Sequence, residues 1–114
     1  MIKFTILLKR KPALTQAQFV DHHKNVHAPL FTSIPVVKDT VRRYVQEHAI
    51  DVALPGMPPV KYDGITELWF DDVEALARCF SDPEYLARVR PDEEAFLDLH
   101  ACDFVVSNEH VVRG

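Results

Sequence analysis

Glycine is scarce in this chain: only three occur among 114 residues, beside eight prolines. No glycine-rich phosphate loop, Gly-x-Ser-x-Gly elbow or dinucleotide fingerprint can be built from them, so nucleotide cofactors and serine hydrolysis have no support. Cysteine is scarcer still. Cys79 and Cys102 sit in a chain that is 47% apolar, enough for one core without staples, and each reads as a small buried hydrophobe. With no charged and then apolar leader ahead of them, a reduced, cytoplasmic setting is expected. Long apolar runs are missing as well. Ile6-Leu7-Leu8 is typical of those present, far short of the ~20 residues a spanning helix needs, so no membrane segment is expected. Positive charge is not in excess, with 13 Lys and Arg against 17 Asp and Glu scattered among them, and nucleic acid is not an expected partner.

What is present reads as a single domain over residues 1–114. Ile2 to Leu8 alternates apolar and mostly polar residues and reads as a first strand, ended by Lys9-Arg10-Lys11-Pro12. Thr15 and Gln18 form a capping box, after which Phe19, His23, Val26, His27 and Leu30 recur on one helical face. Pro29 cannot continue the hydrogen-bond ladder, so this helix is expected to break, kink or restart near His27. Thr40 to His48 reads as a second strand, Ile50 to Pro59 as a long loop, and Asp63 to Phe70 as a central strand with apolar residues on both parities. Asp71-x-x-Glu74 is expected to cap a second helix running to about Phe80. Ser81-Asp82-Pro83-Glu84 caps a further one that Pro91 is expected to stop, with Asp92 to His100 adding a turn or two. Cys102 to Val106 reads as the last full strand, and His110-Val111-Val112 as a short one reaching a neighbour.

The order strand, helix, strand, strand, helix, strand predicts an α+β, ferredoxin-like βαββαβ domain: a four-stranded antiparallel sheet with helices on one face. Trp69, Ile65, Tyr44, Phe104 and Val106 or their neighbours cannot all lie under two helices. The second face is therefore expected to be covered by another copy of the chain, a homodimer through sheet faces, in preference to a monomer with a half-exposed sheet.

Phe19 through Leu30 with its His27-Ala28-Pro29-Leu30, Tyr44 in the second strand, and Asp63-Gly64-Ile65-Thr66-Glu67-Leu68-Trp69-Phe70 followed by Asp71 together resemble the EthD-domain proteins of the dimeric α/β-barrel superfamily. The similarity spans nearly the whole chain. It implies two sheets closing a barrel, with a small-molecule cavity in each subunit. It leaves the reaction open, because such proteins include a component associated with ether degradation, lactone isomerases, and polyketide-tailoring cyclases, dehydratases and decarboxylases. In the methylmuconolactone-isomerase branch a cysteine follows the strand glutamate; here that position is Leu68, so its thiol chemistry is not implied. That branch's histidine and tyrosine have counterparts in His27 and Tyr44.

His27 is the leading candidate for chemistry, since an imidazole titrates near neutrality and this one lies at a helix irregularity. It reads as general acid or base, or as a histidine bonded to a carbonyl beside Pro29. Glu67 shares a strand face with Ile65 and Trp69. It reads as a proton-shuttling carboxyl with a raised pKa, or as a carboxylate paired with a cation such as Arg43 or Lys61 at a dimer interface. Tyr44 reads as an oxyanion donor or as a ring filling the sheet. Trp69, Leu68, Asp63, His48, Phe19 and His23 are expected to contact substrate, with Asp63 beside Gly64 also able to shape a bend. His23 and His27 share a helix face, but no third ligand is evident and Lys24 stands where a zinc protease needs glutamate, so no metal is expected. The expected function is cofactor-free proton transfer on a hydrophobic, oxygenated small molecule: isomerisation, cyclisation, dehydration or decarboxylation. The alternatives are a ligand-binding accessory protein beside an oxidoreductase, and a monooxygenase-type protein as in sister families of the superfamily.

Overall fold

Apolar alternation produces four strands, β1 (Ile2–Leu8), β2 (Val41–His48), β3 (Gly64–Phe70) and β4 (Asp103–Asn108). The computed structural model, which describes residues 1–114, joins them in one antiparallel sheet ordered β2-β3-β1-β4. Register follows the side-chain period of two. Phe4 stands opposite Leu68 and Val106, and Tyr44 opposite Leu68, so these four share one face; Thr5, Glu67, Val45 and Val105 share the other. Five helices run between the strands: α1 (Gln16–His22), α2 (Ala28–Ser33), α3 (Pro35–Thr40), α4 (Val73–Ser81) and α5 (Arg90–Phe96). They pack on the first face. Phe31, Ile34, Val37, Cys79, Tyr85 and Val89 close over Leu68 and Phe70 with Ile2 and Phe4 alongside, and a second cluster joins Leu8, Phe19, Phe96, Leu97 and Cys102. Each of the larger side chains removed from water here stabilises the fold by about 1.5–3 kcal/mol. Both cysteines are free and buried within these clusters.

Prolines 29 and 91 are handled alike. Thr15 caps α1 by the expected reciprocal bonds with Gln18, and the chain then widens into a π turn over His23–His27 before α2 resumes with Pro29 in its first positions. The helix therefore does not stop at Pro29. A second π turn over Tyr85–Val89 precedes α5, which carries Pro91 in its first turn, so Pro91 continues the helix that it was expected to end. In each case an N–H reaches back five residues, Ala28 to the His23 carbonyl and Arg90 to that of Tyr85. The added residue gives the pyrrolidine ring room it lacks in an unbroken α-helix.

Three other expectations are corrected. The N-cap of α4 is Asp72, whose side chain accepts from the Ala75 N–H at 2.8 Å, rather than Asp71, which pairs with Arg42. Pro35 opens a helical turn over Pro35–Thr40, a stretch left without an element apart from Thr40, which was expected to begin the second strand and instead ends α3. His110-Val111-Val112 makes no strand, and both valines are exposed. No helix is long and apolar enough to cross a membrane.

The second sheet face is mixed rather than continuously apolar. Tyr44, Phe104 and Val106 lie on the helix side, leaving Leu7, Ile65, Val45 and Val105 interspersed with Lys3, Arg43, Glu47 and Glu67. Trp69 is only 8% exposed there, because Arg43 and Lys3 lie 4.8 and 5.4 Å from its ring and its indole N–H reaches Glu109 at 3.4 Å.

Candidate functional site

Between the two core clusters lies a cavity of about 400 Å³, walled by apolar side chains from the helices and from the inner sheet face. Phe4, Ile6, Leu68 and Thr66 form its floor. Four rings rise above that floor along one helical stripe: Phe19, His23, His27 and Phe31, with successive centroids 5.6, 5.9 and 6.0 Å apart. The last three line the cavity, and Phe19 braces His23 from behind.

His27 is the end residue of the first π turn and is 7% exposed. Its Nδ1 lies 3.0 Å from Asp92 Oδ2, while Asp92 Oδ1 lies 2.8 Å from His22 Nε2. A carboxylate accepts only, so Asp92 fixes the proton of neutral His27 on Nδ1 and leaves Nε2 as an unprotonated base with no hydrogen-bond partner. Burial lowers the His27 pKa and the Asp92 contact partly restores it, for a net fall below 6.5. The imidazole is thus neutral at neutral pH and oriented by a carboxylate, as a general base must be.

Tyr44 reaches the cavity from β2, edge-on to Phe31 at 5.4 Å. The Gln46 amide donates to the Tyr44 oxygen at 2.7 Å and to the His23 carbonyl at 2.9 Å, which leaves the phenol proton free to donate into the cavity. Burial pushes the phenol up to about 12, so it remains a donor throughout the physiological range. His23 plays a different part. Its Nδ1 meets His48 Nε2 at 3.0 Å and its Nε2 meets the Thr66 hydroxyl at 3.2 Å, so neither ring nitrogen is spare for a metal. Burial, reinforced by His27, His48 and His22, lowers its pKa to about 3.

The second π turn supplies another polar group. The Tyr85 hydroxyl donates to Glu93 at 2.7 and 2.9 Å, and Arg90 Nε donates to Glu93 Oε1 at 3.0 Å. Burial raises the pKa of the Glu93 carboxyl and of the Tyr85 phenol. All three side chains line the cavity.

His27, Tyr44, His23 and Leu68 are therefore brought together at one cavity. Glu67 and Trp69 are not; they lie on the opposite sheet face, where Lys3, rather than Arg43 or Lys61, reaches Glu67 at 3.4 Å. Asp63 holds the end of the sheet, accepting from the Arg10 backbone at 2.9 Å and its Nε at 3.2 Å. His48 stands behind His23 and borders a separate surface pocket with Glu47 and Gly64. Asp92, Glu93, Arg90, Tyr85 and Gln46 escaped the sequence reading. One signal was available for the first two, an acidic pair directly after a proline at a helix start, where the amides of the first turn favour carboxylates.

The EthD domain model matches residues 11–100 of this chain. The dehydratase aurZ of Gibberella zeae is 27% identical over 108 residues, covering 86% of this chain and 70% of the relative. The decarboxylase claH of Passalora fulva is 30% identical over 103 residues, covering 82% and 66%. Among solved structures, an EthD family protein from Bacillus halodurans superposes with a TM-score of 0.70 at 27% identity, covering 96% of this chain and 100% of that one.

Proposed function

The chain belongs to the EthD-domain family, and from that premise we propose that it is an enzyme performing proton-transfer chemistry on a hydrophobic oxygenated small molecule, of the dehydration or decarboxylation kind named in its relatives. The observation that carries this reading is the His27–Asp92 pair, with its free Nε2 on an apolar cavity that the Tyr44 phenol also lines. His27 Nε2 takes a proton from carbon beside a carbonyl, and the electron pair passes to the carbonyl oxygen, where the Tyr44 O–H steadies it. Loss of a β-hydroxyl as water from that enolate, with the imidazolium as acid, completes a dehydration. With a β-keto carboxylic acid, His27 Nε2 takes the carboxyl proton instead. The bond to the carboxylate carbon breaks to release CO₂ while its electron pair passes to the carbonyl oxygen beside Tyr44, and His27 then returns the proton to the carbon left behind. Since burial holds His27 below 6.5, turnover is expected to stay level through neutrality and to fall on acidification past that point.

The active form in this reading is a homodimer joined through the open sheet face, as the family resemblance implies. The mixed apolar and charged side chains of that face suit a partner bearing the same groups.

The test begins with a thermal-shift screen of aromatic ketones, lactones and β-hydroxy or carboxylated carbonyl compounds, and follows each binder for product by mass spectrometry in D₂O. For a turned-over compound, His27→Gln is expected to lower kcat by at least about 100-fold while binding persists, and Asp92→Asn to lower it in the same direction. Unchanged turnover in folded His27→Gln refutes the assignment, and binders that never yield product favour a carrier.

A further inference from the structure

We propose that Arg90 is an anion-recognition residue of this cavity, so that the molecule it accepts is a hydrophobic carboxylate whose charged end meets the guanidinium; this rests on reading the cavity as the ligand site. Arg90 is the one side chain lining the cavity that carries a permanent positive charge. Its geometry is that of a group held from one side and offered from the other. Nε donates to Glu93 Oε1 at 3.0 Å and the guanidinium stands beside the Tyr85 hydroxyl, its carbon 5.8 Å from the centroid of that ring, while Nη1 and Nη2 donate to no carboxylate or carbonyl.

A bidentate arginine–carboxylate pair spends two parallel N–H donors and uses the planar fork fully. Arg90 uses one. Glu93 is satisfied otherwise, accepting the Tyr85 hydroxyl on both of its oxygens. The holding half of the pair is buried and the offering half is open, since the Glu93 side chain is 13% exposed and that of Arg90 43%. The rest of the wall is mainly apolar, and Phe31, stacked on His27 and edge-on to Tyr85, provides a surface for a flat ligand body.

The test needs no knowledge of the natural ligand. Dissociation constants of 2-naphthoate and of its neutral isostere 2-naphthamide are measured calorimetrically at pH 7 on the full chain. The wild-type protein is expected to bind the carboxylate at least about tenfold more tightly, as a partly desolvated charge-assisted contact allows. Arg90→Gln, checked for folding by circular dichroism, is expected to abolish the preference while leaving the amide's affinity within about twofold, and Arg90→Lys to retain part of it. Equal affinities in the wild-type protein overturn anion recognition and leave the cavity reading intact. A preference that survives in Arg90→Gln overturns it too, moving the charge contact to His100, which also lines the cavity. Binding of neither compound overturns the cavity reading together with the proposal.

Discussion

His23 is 1% exposed in the core, and its burial has a measurable consequence for stability. The folded imidazole gives up its proton near pH 3 while the unfolded one does so near 6.5. Between those values the unfolded chain binds more protons, so stability rises with pH across the window. His23's contribution is complete above 6.5 and is withdrawn as the pH falls towards about 3. At pH 5 the unfolded histidine is almost wholly protonated and the folded one is not. Being about 1.5 units below 6.5, at about 1.4 kcal/mol per unit, removes about 2 kcal/mol relative to neutral pH. Replacing His23 by glutamine, whose amide can still meet His48 and Thr66, removes the titration while keeping polar partners for both. Urea unfolding followed by the fluorescence of the single tryptophan, at fixed protein concentration and at pH 5, 6 and 7, reads the difference. The wild-type protein is expected to lose about 2 kcal/mol more between pH 7 and pH 5 than His23→Gln does. His27, also lowered by burial, acts in the same direction in both proteins and cancels in the comparison. Parallel pH profiles for the two proteins refute the reasoning.

Two further expectations concern the sheet. A Cβ at Gly64 would stand 2.9 Å from the Glu47 carbonyl oxygen and 3.2 Å from the Phe19 ring, so Gly64→Ala is expected to cost about 1–3 kcal/mol and to lower Tm by at least about 4 °C; an unchanged melting curve shows that the strand has room. Val105 lies on the open sheet face and is 50% exposed in the single chain, so Val105→Asp is expected to leave an isolated chain within about 0.5 kcal/mol of wild-type stability but to dissociate a sheet-to-sheet dimer. Sedimentation reads it, and a wild-type protein that sediments as one chain at micromolar concentration removes the dimer.

Much of the architecture was legible because it rests on local rules. Alternation located β1 and β3 to within a residue, and the Thr15–Gln18 pair marked the start of α1 correctly. The order of elements was enough for the topology. The face of β3 that the helices cover was harder to read, because burial there has two causes. Thr66, Leu68 and Phe70 are buried by the helical layer, whereas Trp69 is buried on the other side by the stems of Lys3 and Arg43, and both parities look equally apolar in the sequence. That ambiguity set Glu67 and Trp69 beside His27 and Tyr44 in the sequence reading, while the sheet separates the two pairs. Asp92 was hidden for another reason. Its tie to His27 spans 65 positions, and a proline before it reads as a stop unless the turn ahead of it is known to be wide.

The wide turns explain how a site forms on this scaffold at all. In a straight α-helix each step of four residues overshoots a full turn by about 40°, so four rings spaced by four would wind well away from one line. The π turn over His23–His27 takes an extra residue and so returns part of that overshoot, and His23, His27 and Phe31 all line the one cavity, with Phe19 stacked on His23. The same adjustment at Tyr85–Val89 carries the chain through Pro91 and sets Asp92 against His27 and Glu93 against Tyr85. Each proline thus stands two residues beyond a π turn, and His23, His27, Tyr85, Arg90 and Glu93 of the cavity lie in or beside those two turns, facing Tyr44 and Thr66 of the sheet. The prolines that seemed to interrupt two helices are better understood as fixing the phase at which those helices present an imidazole and its carboxylate to each other.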